Sequence, residues 1–430
     1  MRVLIIGGGG REHVLAWKLK QSPRVTELFC APGNAGIARI ADCVPIGASD
    51  IMEIVEFAER LRIDLTVVGP ELPLTLGLAD ELIARDLRVF GPRKLPAAIE
   101  GNKVFAKEFM QRHDIPTARF ASFQDLAQAR KYLASKECPY PRVIKAAGLA
   151  AGKGVAIAPD RRLAERVLID FMEHRKFGSA GETVVLEERL VGEEVSFLAL
   201  ADGEHILPLA ASQDHKTLLD GNQGPNTGGM GAISPPRCLT PEMIKGIIRD
   251  IMRPTVAGLR AEGRKYQGVL YAGLMVTEAG PKVLEFNCRF GDPETQAVLP
   301  RLKGDLVEAF EAAIDHRLDA MRLEWEHLAC ACVVMASGGY PELHQKGLPI
   351  TGLEKAEAME GVNVFHAGTA EEDGQVVTSG GRVLGVAATA PTLGKAVYTA
   401  YKAVEAIHFE GAHYRRDIGR QAMENNHHAK

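Results

Sequence analysis

The sequence predicts a multidomain α/β protein, with a parallel-sheet N-terminal domain, a two-lobed central region carrying a lid, and a smaller C-terminal α+β domain. Three observations carry this. Across the first part of the chain, short apolar runs alternate with amphipathic helical stretches, the mark of a parallel sheet with crossover helices. From Gly101 the pattern changes to strands and helices separated by glycine-rich loops. From Leu328 onward a glycine-punctuated β region ends in a helical stretch near Leu393 to Ile407. The implied domains are 1–102, 103–326 with a lid about 125–193, and 327–430, in keeping with 430 residues at roughly 150 per domain.

Composition narrows the function classes. Hydrophobic residues make up 46% and charged residues 25%, the ordinary soluble balance, which excludes disorder and low complexity. Lys plus Arg number 51 against 55 for Asp plus Glu, a formal charge of −4. That balance argues against a nucleic-acid partner while leaving room for a local cationic pocket. Seven cysteines without a Cys-x-x-Cys pair fit a reducing compartment and give no zinc framework. Met1 to Ile6 runs straight into glycines, too short an apolar stretch for a signal peptide. No run approaches the roughly 18 apolar residues that span a bilayer. A cytoplasmic protein with no membrane partner is expected, its oligomeric state open and a monomer included.

In the N-terminal domain, Val3 to Ile6, Glu27 to Cys30, Asp64 to Gly69 and Leu87 to Gly91 read as strands. Each runs into turn residues: Gly7 to Gly10, Ala31 to Gly36, Gly69-Pro70-Glu71 and Gly91-Pro92-Arg93. Ligands of parallel sheets sit at the carboxyl ends of strands, so four loops are expected to converge on one edge. Gly7 to Gly10 lies between a strand and a helix, where backbone N–H groups can receive a phosphate and Arg11 adds a cation. A tight turn that merely packs is the competing reading. A dinucleotide fits poorly, because Gly8-x-Gly10-x-x-His13 lacks the third glycine and Ala31-Pro32 offers no acid for a ribose hydroxyl. A sugar phosphate suits the edge better.

The central region opens with a helical pattern from Lys103 to His113, and a second helical stretch begins near Gln124. A strand then carries Lys145 into the glycine-rich stretch Ala147 to Gly154, which places Lys145 and Lys153 as a lid over phosphates. It is no Walker A loop, since the spacing from Gly148 to Lys153 is one residue short and Gly154 replaces the hydroxyl residue. A solvated hairpin is the alternative. Glu187-Glu188 and Glu193-Glu194 flank a strand connector able to meet a nucleoside, although acidic strand ends are usually just exposed. Ser212 to Gly231 reads as a long loop holding Asp214, His215 and Lys216, in which His215 is more readily a hydrogen-bonding residue than a base. A long helix is expected around Met243 to Gly263, followed by a hairpin of Gly268 to Thr277 and Lys282 to Phe286. On its second strand, period two puts Glu285 and Asn287 on one face, an oxygen donor set that suits Mg²⁺. Two polar residues on a solvated face compete with that reading. Farther on, Cys330 and Cys332 share one face of a strand. Gly380-Gly381-Arg382 reads as a β-turn or as an approach to a nucleotide, and the polar tail with His427-His428 is too short to argue a metal.

Seven stretches in this order resemble the glycinamide ribonucleotide synthetase (phosphoribosylamine-glycine ligase) family of the ATP-grasp superfamily, over essentially the whole chain. They are GGGGREH at Gly7, APGNAG at Ala31, VGPE at Val68, KAAGLAAGKGV at Lys145, SQDHK at Ser212, GPNTGGMGA at Gly224 and EFNCRFGDPETQ at Glu285. The resemblance implies a Rossmann-like N-terminal domain, an ATP-grasp region and ligation of glycine to 5-phosphoribosylamine through glycyl phosphate, with ATP as co-substrate and Mg²⁺ (or Mn²⁺) as cofactor, in purine biosynthesis. It implies that Lys103, Lys145 and Lys153 serve the phosphates, and that Glu187, Leu190 and Glu194 hold adenosine. Gly8, Gly10, Pro32, Gly33, Asn34 and Gly36 would hold the ribose phosphate. Asp214, Arg289 and Asp292 would orient glycine or the amine, beside a metal on Glu285 and Asn287.

Two departures stand out. Ala147 occupies a position where the family usually has an acid, and Tyr271 to Met275 lacks the carboxylate that many superfamily members carry on the strand before the metal strand. Another carboxylate-amine ligase or carboxylase of the superfamily, a nucleotide-binding regulatory protein without turnover, and an NAD dehydrogenase are the competing functions.

Overall fold

The computed structural model describes residues 1–137, 139–140, 142–150 and 153–424. Gly152 of the glycine-rich stretch and the tail with His427 and His428 lie outside the described residues.

Five parallel strands form the N-terminal sheet: Arg2–Gly7, Glu27–Pro32, Asp42–Cys43, Leu65–Val68 and Val89–Phe90, in the order third, second, first, fourth, fifth. The first strand is central because its apolar run is buried on both faces. Leu4 and Ile6 enter one core, Val3 and Ile5 the other. Asp42–Cys43 escapes sequence reading, being two exposed residues with no apolar alternation. Strand order reverses around the first strand, so the loops after the first and fourth strands open a crevice between them. Three of the four expected loops meet there. The fourth turns away, for Gly91 and Pro92 pack on Gly268 of the central region.

The central region has two antiparallel sheets. The smaller runs Phe120–Phe123, Val184–Glu188, Arg142–Ala146, Val155–Ala158, with helices Leu126–Leu133 and Arg161–Leu168 packed against it through Ala129, Leu133, Ala164 and Leu168. In the larger, the order is Ile206–Pro208, Glu193–Asp202, Gln267–Thr277, Gly280–Asn287. The last two strands form the expected hairpin. The expected long helix is Pro241–Ile247 and Arg253–Ala261 joined by a π-helical turn at Ile248–Met252. That turn precedes Pro254, which has no N–H for the α-helical bond.

The segment from Ser212 to Gly231 is not the unstructured loop its weak periodicity suggests. It contains Gln213–Asp214 and the small hairpin Thr217–Leu219 with Gln223–Asn226. Gln213–Asp214 and Gly231–Ser234 also extend the C-terminal sheet, ordered Gln213–Asp214, Gly231–Ser234, Ala329–Ala336, Arg382–Ala390, Val362–His366. The helix Leu393–Ala406 covers that sheet. Cys330 and Cys332 do share a face, packing toward the N-terminal side, while Ala331 and Val333 face the helix. One continuous sheet therefore ties the Asp214 segment to the C-terminal domain. Among the described residues no helix is long and apolar enough to cross a membrane.

Candidate active site

At the N-terminal edge, the helix Gly10–Leu19 begins on the last of the four glycines, and Glu12 folds back so that Gly9 N donates to its Oε2 at 2.6 Å. A Cβ on Gly8 would stand 2.3 Å from Gly33 O, so the two loops approach only because Gly8 has no side chain. Asn34 clasps them. Its Nδ2 donates to Gly8 O and His366 O, both at 2.9 Å, while its Oδ1 accepts from the N–H groups of Gly36 and Ile37. The Asn34 side chain is thus spent on the backbone. Gly10 and Gly36 are also buried: a Cβ on Gly10 would meet Gln296 Nε2, and one on Gly36 would meet the rings of His13 and His366. Gly8, Pro32 and Gly33 keep exposed surface at the edge. Arg11, expected to add a cation beside the glycines, turns inward to Glu12 at 2.6 Å and donates to Phe290 O at 3.0 Å.

In the groove between the lobes, Lys145 Nζ lies 3.1 Å from Glu187 Oε1 and donates to Leu284 O at 2.9 Å. Glu187 is 1% exposed, and its other oxygen lies 3.1 Å from Lys107 Nζ. Lys107 also donates to Thr117 Oγ1 at 2.7 Å. Burial lowers the Lys107 ammonium to about 8, with Lys145 adding repulsion and Glu187 opposing. Lys103 donates to Gly148 O at 2.9 Å, tying the glycine-rich loop to a helix N-terminus. Its own pKa is lowered by burial, against the pull of Glu285. Lys153 is exposed, and Leu190 and Glu194 are half-buried at the connector between strands. Sequence reasoning missed Lys107, although its four-residue offset from Lys103 puts both on one helix face.

Glu285 and Asn287 occur on alternate positions of the Gly280–Asn287 strand. Burial works against the Glu285 carboxylate, but Lys216, Lys145, Lys103 and Arg289 together hold it down at about 2. Lys216 Nζ bridges Glu285 at 3.5 Å and Glu194 at 3.7 Å. Asn287 Oδ1 accepts from Arg289 Nη2 at 3.2 Å and retains a second lone pair. Arg289 is in turn fixed by Glu71 at 3.2 Å and Glu100 at 3.0 Å. Neither acid was nominated from the sequence, because each lies far from Arg289 along the chain. Among the described residues no group of three or more His, Cys, Asp or Glu could hold a metal. The available donors are one ionised carboxylate and one amide oxygen, which fits a hard cation that takes its remaining ligands from phosphate and water. Opposite Glu285 stands Gly273, so the adjoining strand offers no second carboxylate there.

Asp214 and Asp292 occupy the acidic end. Burial pushes the Asp214 carboxyl well up and Glu294 adds to it, against Lys216 and Arg382. Its Oδ1 is covered and unpartnered. Glu294 accepts hydrogen bonds from Ser196 Oγ at 3.0 Å and from the Tyr271 hydroxyl. For Asp292 burial also opposes charge, yet Arg382 and Arg11 hold it below the usual carboxylate range. His215 is pinned by backbone, Nδ1 at 3.3 Å from Gly231 O and Nε2 accepting from Gly419 N at 3.2 Å. Burial lowers it to about 4, so it stays neutral.

Two antiparallel sheets joined through Lys145, with lysines gathered about an acid and an amide on the hairpin strand, are the arrangement of an ATP-grasp enzyme. Family models match the chain in three successive stretches: the phosphoribosylglycinamide synthetase N domain at residues 1–100, its ATP-grasp (A) domain at 101–295 and its C domain at 330–421. The chain belongs to the phosphoribosylglycinamide synthetase family. It is 52% identical over 426 residues to a phosphoribosylamine–glycine ligase of Allochromatium vinosum, covering 98% of this chain and 99% of that one. It is 49% identical over 418 residues to the ligase of the same name from Caldanaerobacter subterraneus subsp. tengcongensis, covering 97% and 99%. The crystal structure of the Thermotoga maritima phosphoribosylamine–glycine ligase superposes with a TM-score of 0.81 at 34% identity, over 97% of this chain and 100% of that one.

Proposed function

We propose that the protein joins glycine to 5-phosphoribosylamine at the expense of ATP, giving glycinamide ribonucleotide, ADP and phosphate in purine biosynthesis. One observation carries the reading: Lys216 lies 3.5 Å from Glu285, Lys145, Lys103 and Arg289 add their charge to the same carboxylate, and Lys103 is bonded to the glycine-rich loop at Gly148 O. A carboxylate approaching a triphosphate meets repulsion of about 1 kcal/mol per charge pair at 4 Å in water, and about 4 at a protein-like dielectric. One lysine cannot offset several such pairs, but this cluster can.

In this reading Lys103, Lys145 and Lys153 line the phosphates, while Glu187, Leu190 and Glu194 border adenosine. Glu187 acts chiefly by holding Lys145 in place. A magnesium or manganese ion on Glu285 and Asn287 would supply Lewis-acid neutralisation of phosphate charge. The glycine carboxylate oxygen bonds to the γ-phosphorus as ADP leaves. The amine nitrogen of phosphoribosylamine then bonds to the acyl carbon, phosphate leaves, and the nitrogen loses a proton. A neutral amine needs no strong base for this step, so positioning by Asp214, Arg289 and Asp292 carries it. Gly8 and the Pro32 to Gly36 loop, with Gly10 at the helix start, receive the ribose phosphate through backbone groups. Residues 125–193 close as a lid and keep water from the acyl phosphate. The domain 1–102 receives the sugar phosphate and 103–326 the nucleotide, with 327–430 packed beside them, in a cytoplasmic enzyme.

An ADP-release assay with ATP and glycine, with and without phosphoribosylamine, tests this. ADP release that depends on both substrates is expected. ADP formed with glycine replaced by another carboxylic acid, and none with glycine, would overturn it.

A further inference from the structure

The C-terminal domain contributes two glycine-rich turns, each followed by a side chain that grips one residue of the central region, Gly228. Tyr340 follows Gly338-Gly339, and its hydroxyl accepts from Gly228 N at 3.1 Å. Arg382 follows Gly380-Gly381, and its Nη1 donates to Gly228 O at 2.6 Å and to Gly229 O at 3.4 Å. The same guanidinium donates to Asp292 O at 2.7 Å and meets the Asp292 carboxylate at 3.3 Å. The turns are fastened to each other: Ser337 donates to Gly380 O from its hydroxyl and to Gly381 O from its N–H. A Cβ on Gly381 would stand 2.4 Å from the Tyr340 ring, so the glycine lets the ring lie against the second turn.

What this grip holds is not neutral scaffold. Gly229 has φ +112, and a Cβ there would stand 2.7 Å from Asp214 Oδ1, so the gripped peptide forms the wall against that carboxyl. Asp292 reaches the glycine loop of the N-terminal domain, with Oδ2 3.6 Å from where a Cβ on Gly9 would be. Asp292 is thus held by Arg382, and the Gly228–Gly229 segment beside Asp214 is held by Arg382 and Tyr340, both from the C-terminal domain.

We propose that Arg382 and Tyr340 are positioning residues through which the C-terminal domain sets the amine-receiving side of the site, Arg382 by fixing Asp292 and both by clamping Gly228. The proposal rests on the ligase reading and specifies which substrate feels the C-terminal domain. A charged, multiply bonded donor is worth enough that Arg382→Met should raise the KM for phosphoribosylamine about tenfold or more, with the KM for ATP within about twofold. Tyr340→Phe should raise the same KM a few-fold, and the double variant should add little to Arg382→Met, because the two hold one residue, Gly228. Arg382→Lys should recover part of the loss. Equal losses on all three substrates that follow a lowered Tm would make the residues structural only and overturn the proposal, as would unchanged kinetics. Hydrogen exchange at residues 226–231 reads the clamp without turnover. Faster exchange in both single variants is expected, and unchanged exchange would sink the clamp even if the wild type proved to act on other substrates. Wild-type turnover that does not respond to phosphoribosylamine would instead fault the ligase reading.

Discussion

Lys145 reaches Glu187 across 3.1 Å while donating to Leu284 O, so one ammonium joins the small-lobe sheet to the hairpin strand of the large lobe. Both groups are nearly inaccessible, and Glu187 has a second cation in Lys107. Lys145→Met therefore leaves the acid half-compensated. A loss of about 1–3 kcal/mol in stability is expected from chemical denaturation. The turnover loss should be larger, about 10²–10³-fold in kcat at saturating ATP, because a preorganised cation over the phosphates is gone. A kcat within about threefold of wild type would remove Lys145 from the phosphate site.

Glu285 provides a test with a pH signature. Its folded-state pKa of about 2 lies below the ordinary 4.5, so its contribution is present above pH 4.5 and fades as pH falls through about 2. The side chain is 34% exposed, and solvent screening reduces the contribution to about 1–2 kcal/mol. Glu285→Gln should be less stable than wild type by that amount at pH 7 and should converge with it toward pH 2, measured by urea denaturation. The same variant should lose metal-dependent turnover and require more Mg²⁺ for what remains. Chelator removal of divalent cations should abolish wild-type activity, with recovery on adding Mg²⁺ or Mn²⁺.

Gly8 tests the sugar-phosphate edge. A Cβ there would meet Gly33 O, a backbone atom that cannot swing aside, so Gly8→Ala must part the two loops. A stability loss of about 1–3 kcal/mol is expected. The KM for phosphoribosylamine should rise while the KM for ATP stays near wild type. A rise confined to ATP would place the ribose phosphate elsewhere.

The alternation of apolar runs and glycine turns made the N-terminal sheet legible, and period two made Glu285 and Asn287 legible as a pair. Long-range partners were not. Lys107 and Glu100 look like ordinary surface charges in the chain and become informative only when folding brings them to Glu187 and Arg289, while Arg382, read as a turn residue or an approach to a nucleotide, meets Asp292 instead. The helix spacing of Lys103 and Lys107 was the one local clue. The extension of the C-terminal sheet by Gln213–Asp214 and Gly231–Ser234 was hidden for another reason: such short strands carry too few residues for periodicity to register. Asn34 carried turn chemistry, and its side chain bonds the backbone of its own loop and of Gly8 and His366, partners far off in the chain that periodicity does not reveal.

His13 and His366 predict where acid enters the fold. Their rings are 5.6 Å apart at the junction of the first helix with the C-terminal sheet, and His366 N donates to His13 Nδ1 at 2.8 Å. That acceptor role requires a neutral His13 with its proton on Nε2. Burial lowers His13 to about 3, with His366 and Arg39 adding repulsion, and burial lowers His366 to about 4. Because both folded-state values lie below 6.5, the unfolded chain takes up protons first as pH falls. Stability is complete above about pH 6.5 and declines as pH falls toward 3–4. Denaturant midpoints measured from pH 7 to pH 4 should fall steadily. His13→Gln keeps a side-chain acceptor but cannot be protonated in this range, so its slope with pH should be shallower even if its stability at pH 7 is lower. A parallel pair of pH curves would mean that the acid sensitivity arises elsewhere, with buried His215, lowered to about 4, the next group to test.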